Sequence, residues 1–118
     1  MEFNSDFKYD LEFGKVEGES WFHNLVTNTK VEVKCDRMAE KTGNVFIEFR
    51  SRGKLSGLST TQSDYYVYKY NNNQAFIIQT DFLKAKCKEL VRLNKARIIR
   101  GGDNNTSEGL LISIKDLI

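Results

Sequence analysis

The sequence has no proline, a single histidine, His23, and only two cysteines among its 118 residues. Without proline, no segment has the composition of a proline-rich linker. With one histidine, we expect neither a zinc site nor a catalytic pair of serine or cysteine with histidine. Cys35 and Cys87 lie far apart and lack the spacing of metal ligands. They are therefore predicted to be reduced core thiols of a cytosolic protein.

Long apolar runs and a strong excess of one charge are also absent. No apolar run approaches the roughly 18 residues of a membrane-spanning helix, and the polar start MEFNSDFKYD is unlike a signal peptide. We therefore expect a cytoplasmic protein with no membrane partner. The net charge of +2, from 18 basic and 16 acidic residues, is too small for nucleic-acid binding by bulk charge alone. The length predicts one domain, residues 1–118.

The spacing of apolar residues predicts alternating helices and strands. The predicted elements, in chain order, are a helix over 6–26, strands over 29–36 and 44–52, a β-hairpin over 65–80, a helix over 82–93, a short strand over 96–100 and a final strand or helix over 110–118. The two neighbouring strands are predicted to pair antiparallel because their connection is short. The predicted fold is therefore α/β, with a mixed, mainly antiparallel central sheet flanked by helices.

Two predicted strands carry alternating charges. Glu32, Lys34 and Asp36 share one face of the first strand, and Glu48 and Arg50 share a face of the second. If Asp36 or Glu32 lies opposite Glu48, the two carboxylates can bind one Mg²⁺ or Mn²⁺, which hard oxygen ligands suit. Lys34 could then polarise a phosphate or orient a water. The alternative is a solvated sheet face with ion pairs such as Glu48 with Lys34.

A glutamate-bearing first helix, a strand with E-V-K and a strand with I-E-F-R together resemble the PD-(D/E)XK nuclease superfamily, which has the restriction-endonuclease-like fold. The wider run EVKCD…KTGNVFIEFRSRGKLSGLSTTQSDYYVY is similar to small phage-encoded and bacterial members. The resemblance covers roughly residues 6–80 and implies an Mg²⁺-dependent enzyme that hydrolyses DNA phosphodiester bonds. It also implies a location in a bacterial cell or a phage-infected host.

The aspartate that usually precedes the (D/E)-x-K strand is missing, so the motif fits in more than one register. In one register Glu32 and Lys34 form the motif, with a partner carboxylate from Glu48, Asp36 or the helix. In another, Asp36 is the leading aspartate and Glu48 and Arg50 form the second element. A combined arrangement has Asp36 and Glu48 on the metal and Lys34 supplying the positive charge, with Glu32 a further ligand or a modulator of Lys34. We favour the combined arrangement.

The resemblance also implies further site residues and partners. A glutamate of the first helix, Glu12 or Glu19, is a candidate metal ligand. The candidate DNA-contacting residues are Lys41, Arg50, Arg52, Lys54 and Gln62. Basic side chains there would contact phosphates. Separately, a domain this small offers limited surface to grip a duplex, so we expect a homodimer that cuts both strands. The alternatives are a non-catalytic DNA- or protein-binding module on the same fold, and a small structural protein with an ordinary charged sheet face.

Overall fold

The computed structural model describes residues 15–118, and the chain divides into two units, Met1–Lys30 and Val31–Ile118. The described part of the first unit is a π-helical turn, Lys15–Glu19, continued by helix α1, Ser20–Asn28. The predicted helix is thus confirmed where it is described, while residues 6–14 lie outside that range. Helix α1 ends where Thr29 takes an extended backbone and its hydroxyl donates to the Leu25 carbonyl.

The second unit contains seven strands and two helices. The strands are β1 (Val31–Cys35), β2 (Asn44–Ser51), β3 (Lys54–Leu55), β4 (Tyr65–Lys69), β5 (Ala75–Gln79), β6 (Arg97–Gly101) and β7 (Ser107–Ser113). The helices are α2 (Ala39–Thr42) and α3 (Thr80–Arg92), with short 3₁₀ turns at Gly57–Ser59, Asp103–Asn105 and Ile114–Asp116. The α/β class is therefore as predicted. Among residues 15–118, no helix is long and apolar enough to cross a membrane.

The strands form two sheets rather than the single central sheet that was predicted. One sheet has the order β1-β4-β5, with β1 parallel to β4 and β4 antiparallel to β5. The other has the order β3-β2-β7-β6 and is antiparallel throughout. The predicted hairpin over 65–80 is confirmed as β4 and β5. The predicted pairing of β1 with β2 is wrong, because the two strands belong to different sheets.

The connection between β1 and β2 explains that separation. Helix α2 occupies it, with Ala39 only 1% exposed, so the connection packs into the core instead of forming a hairpin loop. Gly43 ends the helix with φ +74°, a left-handed conformation that favours glycine. The backbone of Asp36 meanwhile donates to the Lys69 carbonyl, which extends the contact of β1 with β4 by one residue.

One apolar core joins both sheets and helix α3. Its fully buried side chains are Tyr66, Ile47, Leu83, Ile112 and Val45. The rings of Tyr66 and Tyr68 stack with centroids 5.9 Å apart, so the tyrosines of β4 pack the sheet. Because two sheets and a helix meet in this core, it fixes the strands that carry the charged residues.

The two cysteines differ in burial, and helix α3 buries one of them. Leu83, Cys87 and Leu90 fill the buried face of helix α3, whereas Phe82 and Val91 are 52% and 41% exposed. Cys35 was expected in the core and is exposed, because it lies on the outward face of β1. Cys87 is a buried free thiol as predicted, and burial raises its pKa to about 11.

Candidate active site

The charged face of β1 points towards the core of the second unit. Glu32 and Lys34 lie in register with the buried Tyr66 and Tyr68 of β4, so they share a sheet face with them. The opposite face of β1 is the exposed one, and its Val33 is 62% exposed. The alternation was therefore predicted correctly, but the charged face is the more buried of the two.

Lys34 pairs with Glu32 on its own strand. Lys34 Nζ lies 3.2 Å from Glu32 Oε1, and each side chain is a little over two-fifths exposed. At that exposure the pair contributes roughly 0.2–1 kcal/mol to stability. Its main consequence is positional, since it holds the ammonium group on the inward face of β1. No Lys34–Glu48 ion pair forms within residues 15–118, unlike the pair expected for a solvated sheet face.

Asp36 lies just after β1 and connects it to β2. One carboxylate oxygen, Oδ1, accepts a hydrogen bond from the Met38 backbone N–H at 3.1 Å, and Oδ2 accepts one from the Phe46 backbone N–H at 3.1 Å. The first bond fixes the turn into helix α2, and the second reaches into the other sheet. The carboxylate therefore has a structural role in addition to any role in binding.

We expect Asp36→Asn to lower the free energy of unfolding by about 1–3 kcal/mol, because the amide NH₂ replaces one charged acceptor with a donor that faces the Met38 or the Phe46 N–H. Urea unfolding would measure the loss. Asp103→Asn is the matched control, since Asp103 is exposed, and its change should stay within about 0.5 kcal/mol. If Asp36→Asn and Asp103→Asn were equally stable, the Asp36 carboxylate would not link β1 to β2.

Glu48 lies on β2 at a β-bulge. The register with β7 shifts between Glu48 and Arg50, which leaves Phe49 as the extra residue. Bulges bend a strand and re-aim its side chains, and they are over-represented beside active sites. The half-buried Glu48 carboxylate accepts a 2.9 Å hydrogen bond from the Ser56 hydroxyl through Oε2. The bulge and Ser56 together set where this carboxylate lies.

The turn after β3 packs directly on the backbone of Glu48. Gly57 has φ +53°, and a Cβ atom there would clash with the Glu48 carbonyl oxygen and lie 2.8 Å from its carbonyl carbon. The Ser56 N–H donates to the Phe49 carbonyl at 3.0 Å. Only glycine at position 57 allows this approach, which places the Ser56 hydroxyl beside the carboxylate.

A cavity of about 550 Å³ is lined by the residues that carry these groups, and its volume is within the size range of small-ligand sites. Lys34, Asp36 and Glu48 all line it, although Lys34 and Glu48 belong to strands of different sheets. Its apolar walls include Phe46, Leu58, Tyr66, Tyr68 and Leu111. The predicted direct opposition of Glu48 with Asp36 or Glu32 across paired strands is wrong. The three residues instead line one cavity from different strands and the connection after β1.

The other predicted site residues lie elsewhere. Glu12 is outside the described residues, and Glu19 ends the π-helical turn of the first unit. Glu32 contributes through its ion pair with Lys34 and does not line the cavity. The predicted DNA-contacting residues, Lys41, Arg50, Arg52, Lys54 and Gln62, are all exposed. Within residues 15–118, no group of three or more histidine, cysteine or acidic residues could bind a metal ion.

Three basic residues cluster where β2 joins β3. Arg50 pairs with Leu55 and Ser51 with Lys54, so Arg52 and Gly53 form a two-residue turn. Both turn residues have positive φ, 52° and 77°, as the tight hairpin turns of twisted strands require. Arg50, Arg52 and Lys54 are thereby displayed on the strand that carries Glu48. We refer to this segment, residues 50–55, as the basic hairpin.

Sequence reasoning missed several residues around the cavity. Arg37 lines it beside Asp36, and Ser56 and Gly57 position Glu48. Tyr66 was expected only to pack the sheet, yet it also lines the cavity. The pair Ser56-Gly57 was a detectable signal, because an isolated glycine near a strand often marks a close backbone approach. No protein-family model, curated protein or solved structure matches the chain.

Proposed function

We propose that the protein is a metal-dependent nuclease that hydrolyses DNA phosphodiester bonds, with the restriction-endonuclease-like fold and PD-(D/E)XK chemistry that the sequence resembles. The observation that carries the proposal is the cavity lined by Lys34, Asp36 and Glu48. Two acidic residues and one lysine lining a common cavity supply the kinds of group that this chemistry requires.

In chemical type, the carboxylates that line the cavity suit a hard divalent cation. Asp36 and Glu48 would hold Mg²⁺ or Mn²⁺, because Mg²⁺ is usually bound by one or two carboxylates with the remaining positions taken by water and substrate phosphate. Each Asp36 oxygen makes a single hydrogen bond and keeps capacity for a second interaction. When bound, the cation supplies Lewis-acid stabilisation of charge on the phosphate and activation of water.

The remaining charged groups position the substrate. The Lys34 ammonium would stabilise the negative charge that develops on the phosphate oxygens, and its 3.2 Å pair with Glu32 restricts where it can lie. Ser56 holds the Glu48 carboxylate by one oxygen, which leaves the other for the ligand. The basic hairpin would contact phosphates along the DNA backbone, giving affinity that falls with salt concentration.

Cleavage of labelled DNA tests this function directly. Single-stranded, duplex and branched substrates would be incubated with Mg²⁺ or Mn²⁺, and in parallel with EDTA. We expect cutting of at least one substrate that stops when the metal is chelated. Folded protein that cuts none of the three in either metal would overturn the proposal.

A second candidate is a non-catalytic DNA- or protein-binding module. The observation that favours it is that both oxygens of Asp36 accept backbone hydrogen bonds, which is a structural use of the carboxylate. Such a module would keep the basic hairpin. DNA binding that weakens with salt, with no cleavage and no effect of metal on stability, would select this function over the nuclease.

A further inference from the structure

A groove of about 660 Å³ is lined by helix α3 and by strands of the sheet β3-β2-β7-β6. Ile98 and Leu110, which pair across β6 and β7, line it from the sheet. Their chain neighbours Ile99 and Leu111 line the candidate active-site cavity instead. Because successive residues of a strand face opposite sides, the groove lies on the other face of the sheet from that cavity. We refer to it as the basic groove.

One face of helix α3 supplies the charge of the basic groove. Lys84, Lys88 and Arg92 line it at four-residue spacing, so they follow one another about 6 Å apart along the helix. None of the three forms an ion pair within residues 15–118, and no acidic residue of that range lines the groove. The lining therefore carries a row of three positive charges that no lining residue neutralises.

The rest of the lining is mainly apolar. Phe49 and Leu58 lie beside Ile98 and Leu110, and Val91 lines the groove from the helix. Ile98 is 64% exposed and Val91 is 41% exposed, so the groove is open to solvent. Exposed apolar surface bordered by charged residues is typical of an interaction site, because a partner that covers it removes that surface from water.

The shape and charge of the groove indicate the class of partner. Cations one helical turn apart match acidic side chains at the same spacing on another helix. A small anionic amphiphile would have one head group for three cations, and this open groove would leave much of it in water, whereas small-ligand sites bury most of the ligand. The one aromatic residue in the lining is the half-buried Phe49, which leaves the bases of a nucleic acid without a stacking surface.

We propose that the basic groove binds an acidic amphipathic helix of a partner protein. The apolar side chains of that helix would contact Val91, Ile98 and Leu110, and its carboxylates would lie beside the cations of helix α3. Apolar burial would supply affinity, and the charges would select an acidic partner. The inference does not rest on the nuclease proposal, because the groove and the candidate active site lie on opposite faces of the sheet.

Binding of a synthetic peptide tests the inference. The probe is a fluorescently labelled helical peptide with glutamates one turn apart on one face and leucines on the adjoining face. Fluorescence anisotropy measures its Kd for the full-length protein. We expect saturable binding that weakens as the salt concentration rises, because the charges at the edge of the groove are screened. Control peptides with lysine in place of glutamate, or glutamine in place of leucine, should not bind.

Two single substitutions place the peptide in the groove. Lys88→Glu should weaken binding about tenfold, because an attraction becomes a repulsion. Ile98→Ser should weaken it about tenfold as well, because the apolar contact is lost. Lys95→Glu and Ile77→Ser are the matched controls, since both residues are exposed and neither lines the groove. Both controls should bind as the wild type does, and circular dichroism would verify that all four variants are folded.

A charge exchange gives the most specific result. The lysine peptide should bind the double variant Lys84→Glu with Lys88→Glu, which the glutamate peptide should not bind. The inference is wrong if the glutamate peptide does not bind the wild type, or binds Lys88→Glu and Ile98→Ser as tightly as the wild type. A single-stranded oligonucleotide that loses affinity in Lys88→Glu, with no peptide binding, would identify a nucleic-acid surface and would also overturn it.

Discussion

Glu48→Gln should lower the metal-dependent cleavage rate by at least about a hundredfold, because a cation contributes several kcal/mol of charge stabilisation and each 1.4 kcal/mol is tenfold in rate. Glutamine keeps the size of the side chain and an oxygen that can accept the Ser56 hydrogen bond. It removes the negative charge that would bind the cation. The rate would be measured with Mn²⁺ in excess, on the substrate that the wild type cuts best.

Glu40→Gln is the control for that measurement. Glu40 is an exposed acidic residue on helix α2 and does not line the cavity. Glu40→Gln removes one negative charge, as Glu48→Gln does, and the cleavage rate of this variant should match that of the wild type. If Glu48→Gln retained wild-type activity in a folded protein, Glu48 would not bind the metal and the site assignment would be wrong.

Gly57→Ala should lower the free energy of unfolding by about 2–6 kcal/mol, from a positive φ and an overpacked contact that each cost about 1–3 kcal/mol. The backbone has φ +53°, and the added Cβ would meet the carbonyl group of Glu48, which cannot move without disturbing β2. Because Ser56 moves with this turn, cleavage should fall as well. Urea unfolding and a cleavage assay of the folded fraction measure the two effects.

Gly53→Ala separates the clash from the backbone conformation. Gly53 also has a positive φ, +77°, but an added Cβ there meets no atom within 4 Å. Its cost should therefore be only about 1–2 kcal/mol, with little effect on cleavage. If the two alanine variants were equally stable, the turn would not be packed on Glu48 as described, and the account of how that carboxylate is positioned would fail.

Local features of the sequence were predictable, and strand partners were not. Alternation identified β1 and β2, and the Asn71-Asn72-Asn73 turn identified the β4–β5 hairpin, because both depend on neighbouring residues. The pairing of β1 with β4 joins Val31 to Tyr65, far apart in the chain, and no local pattern encodes it. The buried helix α2 determined the outcome, since Ala39 draws the β1–β2 connection into the core.

The sequence singled out three residues that line one cavity, but it did not show how the cavity is built. Lys34, Asp36 and Glu48 stood out because charges alternate on their strands, and all three line the cavity. Tyr66 did not stand out as a residue that lines the cavity, since tyrosines on a strand usually pack the sheet. The structural use of Asp36 also had no local signal, because its Phe46 partner lies on the other sheet. Replacing Asp36 is therefore a poorer test of catalysis than replacing Glu48.

Asp36 and Glu48, which line this cavity, are proposed to bind a divalent cation. Paramagnetic broadening of backbone amide resonances by substoichiometric Mn²⁺ locates such an ion directly. We predict the strongest broadening at Asp36, Glu48 and Gly57, and its loss in Glu48→Gln but not in Glu40→Gln. Broadening that is strongest elsewhere, or that is unchanged in Glu48→Gln, would contradict a metal site in this cavity.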